Sequence, residues 1–460
     1  MERASNGNDK DLTILEENIL KVPHELKSDA LKLFCVALGS LNAPPAKAKK
    51  KAKFGVNPVV PAKYLMCIHL LGCNNPDFSP YSPIFLTAWP LLLKWSKFMY
   101  SLTRRTDSED SEYADVDKGI VVYSIAGILN LFFEIGDTMD GTPHLRPQDN
   151  GTFELMCKMW MKVLPNEDER GQTRLSVVAA MRCALEQSYN SKSWTLVEAK
   201  QVLWRVAENK PAVIARNIFS PFKDVPSKDR TLIFFPGSAP VTGEKWIIFV
   251  RHSLEAIIYL IHEVYLTDDL SEMMEAMIKA KVPEKVVTTF IDFQMLTLPL
   301  AQRQIIGGHC LKIVRSFLES RVGSTIAPRF LQAGLLTAIA GFIPRFAGKH
   351  FDVPESDPSV QDAKIIIGTL LPHYLFHYNV IANAIDGLEE LLVIHPKMMM
   401  ILRFDCYLST EWTFFSNLVM ERAAIKASYD VFLEKKDHRI CHNVNIYFRQ
   451  FKAVLMFILD

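Results

Sequence analysis

The sequence predicts an all-α chain built as an irregular stack of helical hairpins, an α-solenoid. Three observations carry this. The stretch 359–391 places apolar residues at helical spacing with only a thin polar stripe between them, as in Ile365, Ile366, Ile367, Leu370, Leu371 and Leu375. A surface helix carries one apolar stripe, whereas a helix apolar over most of its girth needs neighbours on two sides. Next, 460 residues at 49% hydrophobic content exceed one ordinary core. A repeat array escapes that size limit because each unit packs only on its neighbours. Last, helical patterns follow one another along the chain, and only 220–243 breaks their character.

In order, the spacing predicts short amphipathic helices over 11–20 and 26–41, separated by Pro23. A basic linker follows with Lys47, Lys49, Lys50, Lys51 and Lys53. Proline pairs and a lysine run bury too little apolar surface to offset ordering, so an exposed linker is expected, with a nuclear-import signal as its functional reading. Helices are predicted over 59–71 and 84–104, the second rich in Trp and Phe, on either side of a proline-rich loop. The acidic loop 106–117 leads into the helix 119–134, with Asp115 or Asp117 as its cap. Further helices are read over 152–164, 175–188, 195–208 and 211–218. The connection 220–243 holds Pro226, Pro236, Gly237, Pro240 and Gly243 around Thr231–Phe235, which could form a short strand. Helices resume over 244–266, 270–280, 284–295, 299–320 and 325–346, and after a loop over 359–391, 396–404 and 410–436. The organisation read from this is 1–57 as N-terminal helices and linker, 58–219 as a first helical block, 220–243 as connection, 244–436 as a second block and 437–460 as a tail.

One internal echo stands out. Met277-Ile-Lys-Ala-Lys-Val-Pro-Glu-Lys-Val-Val and Phe330-Leu-Gln-Ala-Gly-Leu-Leu-Thr-Ala-Ile-Ala each close a helix near an alanine and reopen an apolar one with little linker. This resembles the turn of armadillo and HEAT repeats, whose units run about 40 to 47 residues.

Composition and motifs restrict the chemistry. A net charge of +1 excludes a polyanion binder by composition, so no direct nucleic-acid binding is expected. The eight cysteines are scattered, mostly inside apolar runs, as reduced buried thiols are. With a polar start unlike a signal peptide, they point to the cytoplasm or nucleus. The apolar runs 84–95 and 119–136 are too short or too polar for a membrane span, which needs about 20 apolar residues. Cys67, His69 and Cys73 put only two ligands on one helical face, and structural zinc needs four. His373 and His377 stand one turn apart on one face, but Tyr374 occupies the place where a zinc hydrolase of this spacing has glutamate. The segment 235–245 imitates a phosphate loop with wrong spacing, Glu244 preceding its lysine. Nucleophile elbow, dinucleotide and kinase signatures are missing, and the pairs Asp268-Asp269 and Glu389-Glu390 read as helix caps or solvated faces.

The end of the chain reads Glu411-Trp-Thr-Phe-Phe, then Glu421-Arg422 and Tyr429, then Cys441-His-Asn443. It resembles a family of fungal proteins of unknown function, in which a helical body ends in a helix of this kind followed by a MYND-type zinc finger. The resemblance implies that Cys441 is the first zinc ligand and that the intact family member binds zinc and short peptide motifs. Ile446 stands where the next cysteine is expected, and the tail to Asp460 has no further Cys or His after His442. Zinc needs four ligands, so a finger truncated after Asn443 is expected, with no cofactor in this chain. The spliced transcript tests this. No SET-type Asn-His-Ser-Cys stretch is present, so methyl transfer is not supported. The expected function is a non-catalytic scaffold for a protein or peptide partner, with no membrane. The alternatives are an enzyme with a pocket near His373 and His377, and a nuclear regulatory factor recruited through Lys47–Lys53.

Overall fold

The computed structural model describes residues 18–41, 58–73, 79–104, 117–135, 147, 151–163, 171–190, 195–219, 243–261, 269–295, 300–346, 354–394, 396–404 and 406–435. All regular elements among them are helical. The chain is all-α and divides into two compact units, Met1–Leu260 and Ile261–Asp460. The linker lysines 47–53, the 220–242 connection with its candidate strand, the 106–116 loop and Cys441 lie outside the described residues.

The first unit contains α1 (His24–Ser40), α2 (Val59–Cys73), α3 (Ser82–Thr103), α4 (Lys118–Glu134), α5 (Thr152–Val163), α6 (Gly171–Asn190), α7 (Leu196–Val206), α8 (Pro211–Phe219) and α9 (Gly243–Ile261). Helix α4 is its centre, touching α2, α3, α5 and α6. It starts where Asp117 accepts hydrogen bonds from the Gly119 and Ile120 amides at 2.9 and 3.1 Å, satisfying donors that have no partner within the helix. Its side chains Val121, Val122, Ile125, Ile128, Leu129 and Phe132 are buried all round it. That removes the solvated stripe an ordinary amphipathic helix keeps. Trp89 of α3 stacks on Phe132 with centroids 3.8 Å apart, and its indole N–H donates to Thr152 Oγ1 at 3.2 Å. Helix α2 comes close to α4 because both present glycine. A Cβ on Gly72 would lie 2.1 Å from Leu131 Cδ1, and one on Gly127 2.1 Å from His69 Cε1. Thr195 and Glu198 form a reciprocal capping box at the start of α7. The helix expected over 195–208 stops at Val206, because Glu208 and Asn209 both adopt left-handed backbone at φ 55°. Helix α9 lies in the first unit as far as Leu260. Within the first unit, Glu255 of α9 binds Arg182 of α6.

The second unit contains α10 (Asp269–Lys279), α11 (Val282–Met295), α12 (Leu300–Glu319), α13 (Gly323–Gln332), α14 (Leu335–Phe346), α15 (Pro358–Ile365), a π-turn (Ile366–Leu370), α16 (Leu371–Tyr374), α17 (Tyr378–Ile394), α18 (Pro396–Phe404) and α19 (Ser409–Lys435). The single helix expected over 325–346 is two helices at 69° to one another. The break is at Gly334, whose φ of +91° ends α13 without a Cβ penalty. Helix α10 ends in the same way at Lys281, at φ 59°. The two corners share their hydrogen bonds. Ala280 N–H donates to Ala276 O at 2.9 Å and Lys281 N–H to Ile278 O at 3.0 Å; Ala333 N–H donates to Arg329 O and Gly334 N–H to Leu331 O, both at 3.0 Å. The sequence echo is therefore a repeated local structure. Arg329 ties the corners together, donating from Nη1 to Ile278 O at 2.9 Å and lying 3.5 Å from Glu284. Behind them Phe290 of α11 meets Phe342 of α14 edge to face at 5.2 Å.

Candidate functional site

The segment that the sequence marks most strongly, 359–391, lies in the second unit along α19. Asp357 caps α15 through the Ser359 amide at 2.8 Å and also accepts from Gln304 Nε2 at 2.9 Å. Asp362 is buried and accepts from Arg315 Nη1 at 2.8 Å, while Arg315 Nε donates to Glu319 at 2.7 Å. Burial pushes the Asp362 carboxyl above its usual range, and the Arg315 guanidinium opposes that rise.

The helix then widens into the π-turn, where the Leu371 amide donates five residues back to Ile366 O. Pro372 follows and has no N–H to continue the α ladder. Such turns recur at functional places because they shift side chains out of helical register. Here Gly368 approaches Glu411 of α19, where a Cβ would sit 2.8 Å from Glu411 Cγ. Lys364 pairs with Glu355 and has its Nζ 3.8 Å from Glu411 Oε1. Tyr374 Oη donates to Leu318 O at 2.6 Å, and burial raises its pKa.

Past Tyr374 the chain turns into α17. His373 and Phe376 are exposed and His377 is half-buried. Phe376 lies at 4.1 Å from the His377 ring and 6.0 Å from His373, and it is 65% exposed. Tyr378 is 58% exposed, with Lys426 Nζ of α19 4.2 Å above its ring. The turn therefore groups two imidazoles, two aromatic rings and an ammonium at a surface. No carboxylate is hydrogen-bonded to either imidazole among the described residues, and no three His, Cys, Asp or Glu side chains there could hold a metal ion. The turn holds both imidazoles at or near the surface. It supplies aromatic area with polar tips, the material of recognition surfaces.

A second cluster lies in the first unit. Glu255 is buried on α9 and accepts from Arg182 Nε and Arg251 Nε, each at 2.8 Å, with His252 Nδ1 at 3.4 Å. Arg182 also pairs with Glu186 at 2.8 Å. Burial pushes the neighbouring Cys183 thiol up to about 11, against the pull of Arg182, and the Tyr259 phenol up to about 12. Such thiols are protonated and inert near neutral pH. The cluster fastens α9 to α6. Sequence reasoning passed over Glu255, although a carboxylate inside Ser253-Leu-Glu-Ala-Ile-Ile is a charge that needs a buried partner.

Of the zinc-like trio, Cys67 and His69 are both buried. His69 packs on Tyr123 with centroids 4.6 Å apart.

No single described helix is long and apolar enough to cross a membrane, although the bent pair α13–α14 passes by length and composition together. Comparison with family models, with curated proteins and with solved structures finds no match to this chain.

Proposed function

We propose that the protein is a non-catalytic scaffold of armadillo/HEAT-like build that takes a protein or peptide partner on its second unit. The observation that carries this reading is the exposed aromatic turn at Phe376 and Tyr378, together with Phe404 and Phe414, which α18 and α19 leave exposed. Burying a large aromatic stabilises by about 1.5–3 kcal/mol, so leaving several in water is costly unless a partner covers them. The repeated corners at Lys281 and Gly334 support the repeat-array half of the reading. The likeness of the α19 sequence to the MYND-finger family supports a partner-binding role.

The test is quantitative affinity capture with the intact chain against the double variant Phe376→Asp, Tyr378→Asp. Both residues are exposed, so the variant should keep its helical circular dichroism and melting temperature. At least one captured protein should fall more than tenfold. Identical sets from the two chains would count against a docking surface there.

A further inference from the structure

We propose that His69 is an acid-sensitive latch, which holds α2 against α4 while its imidazole is neutral and releases the pair when a proton binds.

The ring lies 2% exposed in the seam between α2 and α4. It occupies the space that a side chain on Gly127 would fill, with Nδ1 2.2 Å from the position of a Cβ there. Nδ1 itself is buried and finds no hydrogen-bond partner among the described residues. One face of the ring meets Tyr123 of α4. An imidazolium has two N–H donors to satisfy and a charge to solvate. Among the described residues this seam offers the second donor no acceptor and the charge no counter-ion.

The groups that face the ring from the surrounding helices do not change this. From α4 they are the Tyr123 phenol ring and the backbone of Tyr123 and Ser124, whose hydrogen bonding favours the proton but does not outweigh burial. On α2 the buried titratable groups are the Cys67 thiol and the Tyr64 phenol. On α1 the buried titratable group is Cys35, a thiol that burial pushes up to about 12, so it stays neutral. Glu25, Asp29 and Lys32 of α1, Lys94 of α3, Glu134 of α4 and Lys21 of the turn Ile19–Lys21 stand exposed, and Lys27 of α1, Lys63 of α2 and Lys118 of α4 are half-buried. Burial accordingly lowers the His69 pKa from 6.5 to about 4.

The sign follows from proton uptake. Between these two values the unfolded or opened chain binds a proton that the closed chain refuses. The stabilisation is therefore complete above pH 6.5 and is lost as pH falls towards 4. From pH 7 to pH 5 the equilibrium for opening the seam should rise about 20-fold through this one group.

Amide exchange on the intact chain tests it, comparing α2 and α4 at pH 7 and pH 5 after correction for the intrinsic rate. The wild type should lose protection about 20-fold there, and His69→Phe should lose almost none. Equal losses in both chains would overturn the latch. Should His69→Phe fail to fold, the nitrogen resonances of the wild-type ring decide. A neutral ring at pH 5 in the closed state supports the latch, and a charged ring with α2 and α4 still protected refutes it.

Discussion

The corners at Lys281 and Gly334 have the same hydrogen bonds but different residues at the left-handed position. Glycine adopts that backbone freely, whereas a residue with a Cβ pays about 1–2 kcal/mol for it. The geometry at 281 is thus imposed by what surrounds it: Val282, Val286 and Phe290 are all buried behind the corner. At 334 the residue itself favours the turn, and Ile291 closes over it with Cδ1 3.0 Å from where a Cβ would be. Local preference makes one corner and tertiary packing makes the other.

The most damaging way to break this likeness is to remove what both corners rest on. Phe290→Ala takes away a fully buried ring that meets Phe342 of the other corner's second helix. Urea unfolding of the intact chain should show the second unit's transition weakened by about 3–5 kcal/mol; a loss under 1 kcal/mol would mean the corners do not share a core. Gly334→Lys puts the residue of one corner into the other. It should cost about 1–3 kcal/mol through backbone strain and the contact with Ile291. The reverse exchange, Lys281→Gly, sharpens the contrast with the smallest effect. Relief of strain exceeds the added chain entropy, so a gain of up to about 1 kcal/mol is expected. Destabilisation by Lys281→Gly would show that the Lys281 side chain, and not its backbone, matters.

The same division describes what the sequence could reveal. Helix α4 is legible because Asp117 precedes a long apolar run, and the echo around residues 280 and 333 is legible because both corners need a small residue before the turn. The break inside 325–346 is harder to see, since Leu335 and Leu336 resume the apolar pattern at once and only Gly334 interrupts it. The π-turn at 366–370 has no local signal beyond Pro372, because it depends on Gly368 meeting Glu411, 43 positions later. His373 and His377 attracted notice as possible ligands, yet Phe376 between them is the residue that stands out in the folded chain. Periodicity marks which residues can be buried; it does not tell which of them stay in water. Glu255 escaped for the converse reason, since its arginine partners come from positions 182 and 251.

The docking surface is tested most directly by placing a photo-crosslinking phenylalanine analogue at position 376 and, separately, at Val36, an apolar residue of the first unit that is 69% exposed. The account predicts a discrete protein adduct from 376 and none of it from 36. The same adducts from both positions, or none from 376, would contradict it.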